Sequence, residues 1–91
     1  MKKLPDVWAI RATLELETRT ETQELVLAVM RPEFARQNST RSNVVTKASS
    51  HGVIIKVKAR DLSSFRSSVT SILRLISVIL EMQKIIRNEA R

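Results

Sequence analysis

Two carboxylates, Glu15 and Glu17, stand two residues apart in "TLELE", and one histidine, His51, stands in "SSHG". These are the side chains best suited to moving a proton. Paired carboxylates do acid–base work only in a cleft, with a third group to orient them. Here both glutamates fall on the polar side of an alternating segment, where a solvated or ion-paired strand face is the simpler reading. His51 has no carboxylate, nucleophile or second ligand beside it in the turn, so a solvated residue is favoured over a base or a metal ligand. One glycine cannot build a phosphate-cradling loop. The absence of cysteine excludes disulfides, thiol catalysis and thiolate metal sites. Serines are abundant, but none has a context that would activate it. The sequence implies no catalytic residue, no metal and no cofactor, and predicts a protein that is not an enzyme by itself.

What remains is charge and surface. Sixteen Lys and Arg oppose nine Asp and Glu, a formal charge of +7 over 91 residues. A basic balance favours anionic partners, nucleic acid first, against the plainer reading of a solvated basic surface. The aromatics are Trp8, Phe34 and Phe65 only, which does not supply the adjacent exposed rings of a base-stacking sheet. A chain of this size makes one domain, 1–91, and buries only about 60–65% of its unfolded surface, so oligomerisation would help it. The start, "MKKLPDVW", has no apolar run behind its lysines. The longest apolar stretches are far below the ~20 residues that cross a bilayer. A soluble, cytoplasmic protein without a membrane partner is expected, which the lack of cysteine fits.

The elements follow from periodicity. Residues 7–17 alternate, with Trp8, Ile10, Ala12, Leu14 and Leu16 on one side and Arg11, Thr13, Glu15 and Glu17 on the other. Thr18 or Thr20 is expected to cap a helix with Glu21 and Glu24 in its first turn. Pro32 is expected to stop that helix after about three turns. "RPEFARQNSTRSN" reads as a loop. Two strands, from about Arg41 and from Val53, flank "SSHG", where Gly52 takes the positive φ of a hairpin. Asp61 caps a long helix to about Arg87, and residues 1–5 and 88–91 are expected to fray. The order is β-α-β-β-α: an α+β fold, a three-stranded antiparallel sheet with two helices on one face, read as dimeric.

The long helix has more apolar residues than one face can use. Leu62, Phe65, Val69, Ile72, Leu73, Ile76, Ile79 and Leu80 form a stripe expected on the sheet. A second stripe, Leu75, Val78, Met82 and Ile85 with Ile86 beside it, is spaced for helix-on-helix packing. Either the first helix covers it or a partner helix does. The first helix, at three turns, is too short to reach far, so the second stripe is the expected partner site. Lys56, Lys58 and Arg60 form a basic row that Arg41 and Lys47 extend if the hairpin register allows. That row suits phosphate contact, or else solvated lysines that discourage edge pairing.

"ARDLSSFRSSVTSILRLISVI", residues 59–79, resembles the signature of the small dimerising subunit of the KEOPS complex, the CTAG/Pcc family. Asp61, Leu62, Ser63, Phe65, Arg66, Ser71 and Arg74 match it; Thr70 stands where the family carries Asn, as in a divergent paralogue. "VMRPEF" is similar to the family's segment after its first helix. The resemblance spans nearly the whole chain. It implies a non-catalytic subunit that dimerises, as a homodimer or with a paralogue. It also implies docking on the KEOPS catalytic subunit and a contribution to tRNA binding in the complex that makes threonylcarbamoyl-adenosine. Arg66 is expected in a structural ion pair, with partner contact as its second role. The competing reading is a stand-alone basic RNA-binding module of KH-like size, although the Gly-x-x-Gly clamp is missing.

Overall fold

A computed structural model describes the backbone of residues 9–89 and the side chains of residues 9–85. The expected contribution of Trp8, the fraying of residues 1–5, 90 and 91, and the side chain of Ile86 lie outside the described residues; residues 88 and 89 are helical. The elements are β1 (Ile10–Glu17), α1 (Thr20–Gln37), β2 (Ser42–Ser49), β3 (Gly52–Ala59) and α2 (Leu62–Glu89). The sheet is antiparallel in the order β1-β3-β2. This is the expected α+β architecture.

β3 is the centre. Val53, Ile55, Val57 and Ala59 are all buried, and each of them faces the two helices. The period of two in a strand forces Ile54, Lys56 and Lys58 onto the opposite side. In β2 the phase puts Val44 and Thr46 inward and Val45 and Lys47 outward. β1 alternates as its sequence does, but its inner residues, Ile10, Ala12, Leu14 and Leu16, are only half-buried. Val26, Leu27, Met30 and Phe34 of α1 and Ile72 and Ile79 of α2 complete the core.

Three expectations for α1 fail. Its N-cap is Arg19, which makes no side-chain cap bond, rather than Thr18 or Thr20. Thr18 instead donates its N–H to the His51 carbonyl at 2.9 Å, just beyond the end of β1. Glu21, not Glu24, is the acid of the first turn. The third failure is Pro32, which lies inside the helix and does not end it. An interior proline costs ~3 kcal/mol. Burial of Phe34, worth about 1.5–3 kcal/mol, offsets much of that, and Asn38 N–H closes the last turn on the Phe34 carbonyl at 2.8 Å. The "RPEFARQ" stretch read as loop is therefore helix.

Side-chain bonds fix the ends of the elements. Gln23 Nε2 of α1 donates to the Ser49 carbonyl at 2.7 Å and the Gly52 carbonyl at 2.6 Å, which ties the helix to the hairpin. Asn38 binds the outer edge of β2 like a strand partner. Its Nδ2 donates to the Val44 carbonyl at 3.1 Å and its Oδ1 accepts the Val44 N–H at 2.8 Å.

Gly52 has φ of 156°, and a Cβ there would collide with the Leu16 carbonyl of β1. Gly52→Ala is expected to lower unfolding stability by roughly 1–3 kcal/mol, read as a shifted urea midpoint at unchanged m-value.

Candidate partner and nucleic-acid surfaces

α2 has 28 residues and the strands eight each, so the helix, at ~42 Å, overhangs strands of ~27 Å. The face it buries is centred on Ile72 and Ile79, flanked by Ser68, Phe65, Leu75 and Ile76. That face is turned roughly 40° from the expected stripe. Leu62, Leu73 and Leu80, expected on the sheet, are exposed, and Leu75, expected in the partner stripe, packs on the core. The turn has a local cause. Ser67, Ser68 and Ser71 line a cleft of about 300 Å³ with Phe34 and Val44, so small side chains face α1 and β2.

Two exposed apolar strips result. Leu62, Leu73 and Leu80 form one; Val78, Met82 and Ile85 form the other. All six side chains are between 45% and 60% exposed. α1 is five turns long rather than three, yet it does not cover the second strip. Its apolar side chains are spent on the sheet, and its link to this end of α2 is polar, Thr22 Oγ1 to Gln83 Oε1 at 3.1 Å. The segment Leu62–Ile85, with a mean hydropathy of 1.2, is long and apolar enough to cross a membrane by length and composition, contrary to the sequence reading. Scattered serines hide this in the run of residues. In the fold its inner face packs against the sheet and α1.

The outer face of the sheet carries Lys47, Lys56 and Lys58 together. Register places Lys56 opposite Val45, with Lys47 as its diagonal neighbour, so the hairpin does extend the row. Sequence reasoning missed Arg11 as a member. It stands directly opposite Lys58. Its place on the polar side of β1 was visible, but the pairing needs the β1–β3 register. Like charges directly opposite destabilise a sheet. Arg41 and Arg60 are committed at the end of the sheet. Arg41 Nη2 bonds Asp61 Oδ2 at 3.0 Å, and Arg60 Nε donates to the Thr40 carbonyl.

The family-motif residues divide by role. Asp61 caps α2 as expected, its Oδ1 accepting the Ser64 N–H at 2.7 Å. Phe65 packs on the core, and Ser71 lines the cleft beside Phe34. Leu62, Ser63 and Thr70 are exposed. Arg66 and Arg74 are exposed and share a shallow groove with Ser67, Thr70 and Ser71. The ion pair expected for Arg66 is not formed among the described residues, because no carboxylate stands on the adjoining turns of α2 or reaches this face. His51 and Glu17 line one open cleft at the hairpin tip with Arg19 and Ser50, and no hydrogen bond orients either side chain among the described residues.

The β-α-β-β-α domain thus combines a sheet face bearing Arg11, Lys47, Lys56 and Lys58 with a final helix exposed on two flanks. The family model described as transcription factor Pcc1 matches residues 11–84, and the chain belongs to this family of KEOPS-associated, non-catalytic subunits. No curated protein and no solved structure matches it.

The carboxyl of Asp61 is held below the ordinary aspartate range, first by the Ser64 N–H and then by Arg41. A lowered folded value means that the unfolded chain binds the proton more readily. The cap's contribution is therefore complete above the ordinary range and is lost as pH falls through the lowered value. Asp61→Asn is expected to flatten that acid limb of a thermal-unfolding pH series, and Asp61→Ala to lower the melting temperature at neutral pH as well.

Proposed function

We propose that this chain is the non-catalytic scaffold subunit of a KEOPS-type complex that makes threonylcarbamoyl-adenosine in tRNA. It works in the cytoplasm as a dimer, docks the catalytic subunit through the C-terminal half of α2, and assists tRNA binding with the outer face of the sheet. The observation that carries the docking is the exposed strip of Val78, Met82 and Ile85. Burying a large apolar side chain is worth ~1.5–3 kcal/mol, so three left in water mark a surface to be covered. Ile86 extends the strip in sequence. Arg66 and Arg74 offer guanidinium groups to carboxylates of a partner along the neighbouring arc. The family assignment supports the same reading.

Met82→Asp and Ile85→Asp are expected to abolish pull-down of the catalytic subunit while leaving the thermal unfolding of the isolated chain nearly unchanged. Undiminished pull-down would remove this site.

The grouping of Arg11, Lys47, Lys56 and Lys58 favours a second reading, a stand-alone RNA-binding module. Titration of the isolated protein with tRNA over a salt series separates the two. Tight, salt-dependent binding supports the module, and Lys56→Ala would then reduce the log–log salt slope by about one. Binding only in the presence of the catalytic subunit supports the scaffold.

A further inference from the structure

The seam between α1 and α2 holds hydroxyls that the fold does not use. Ser42, Ser67, Ser68 and Ser71 line the cleft of about 300 Å³, and Phe34 and Val44 form its apolar side. Ser68 is only 8% exposed, yet its hydroxyl meets no hydrogen-bond partner among the described residues. A hydroxyl taken out of water without a partner is a cost, and a group seated in the cleft would remove it. The amides beside it are already engaged. Asn38 is spent on Val44, and Gln37 Nε2 donates to Glu33.

Ser67 and Ser71 also wall a second hollow, which Arg66, Thr70 and Arg74 complete. The two hollows therefore lie side by side. Arg66, Thr70 and Arg74 are four residues apart and stand in one row. Round the helix from that row come Ser67 and Ser71, then Ser68. Neither arginine has an ion-pair partner among the described residues. Glu33 of α1 is engaged by Arg36 and Gln37 and lines neither hollow.

The donors define the ligand. The two arginine Cα atoms are ~12 Å apart along the helix, a span that two long side chains can close over Thr70. A carboxylate has two oxygens in one plane, and one guanidinium satisfies it. Two guanidiniums with a hydroxyl between them suit a tetrahedral anion, whose three free oxygens point to different sides. The serine cleft lies at the small end of the ~300–1,000 Å³ of ligand sites. It is lined by hydroxyls and two apolar side chains and bears no charge, which fits a short hydroxylated carbon skeleton.

We infer that α2 carries a binding site for a small phosphate monoester. Arg66 and Arg74, with Thr70 between them, take the phosphate, and the serine cleft beside Phe34 takes the short polar group esterified to it. The site goes beyond the scaffold reading and does not rest on it. A partner's carboxylates would compete for the same guanidiniums, so the isolated full chain is the form to titrate.

Amide NMR spectra of that chain, titrated with glycerol phosphate, inorganic phosphate and glycerol, test the site. Glycerol phosphate is expected to shift the amides of residues 66–74 saturably, with a Kd of about 1 mM or below. Inorganic phosphate is expected to bind roughly fivefold more weakly, and glycerol to leave the spectrum unchanged. Arg66→Gln with Arg74→Gln, both exposed, is expected to weaken the monoester by about tenfold or more. Arg31→Gln on α1 leaves it unchanged. Ser71→Leu fills the cleft and brings the monoester to the level of inorganic phosphate. Equal affinity of the wild-type chain for the two phosphates would overturn the role of the cleft. Undiminished binding by the double arginine variant, or shifts centred on Lys47, Lys56 and Lys58, would overturn the anion site. The absence of any saturable shift below about 10 mM would overturn both.

Discussion

A sheet of three eight-residue strands has one inner face, and two helices must share it. That limit on area governs everything else in the molecule. β3 takes the centre, buried by both helices and hydrogen-bonded on both sides. α1 spends Val26, Leu27, Met30 and Phe34 on its share. α2 arrives with an apolar arc wider than the space left for it. Helical geometry then decides which of its side chains lose. The arc settles around Ile72 and Ile79, and both flanks remain in water. Both flanks therefore leave large apolar side chains in water along a 28-residue helix.

The fold was largely legible because its strands obey a period of two without conflict. In β3 the alternation of Val53, Ile55, Val57 and Ala59 with Ile54, Lys56 and Lys58 leaves one orientation, and the single glycine marks the hairpin. α1 was misread where a local rule met a tertiary one. Pro32 argues for a helix end, and only the burial of Phe34 two residues later, invisible without the sheet, outweighs it. The stripes of α2 were seen, but not their rotation. That goes with three serines lining a cleft beside Phe34, and serines carry no hydrophobic signal.

The candidate surfaces show the same boundary. Exposure of Val78, Met82 and Ile85 followed from counting apolar side chains against available area. The membership of the basic face did not, because it depends on register and on competition for partners. Arg41 and Arg60 are drawn to Asp61 and to the Thr40 carbonyl, while Arg11 is brought beside Lys58 by a strand forty-odd residues away in sequence. Short polar side chains do most of this sorting. Asp61 holds the start of α2 and restrains Arg41, and Gln23 joins α1 to the hairpin before either can face outward.

The amide of Asn38, clasping Val44 at the rim of β2, leaves the sheet with unequal margins. A unit with a single bare margin can be extended once, and the result is closed. A unit with two bare margins repeats without end, and grows into ribbons rather than a particle of fixed size. One asparagine on a helix terminus thereby closes the middle of the β2 margin to a further strand.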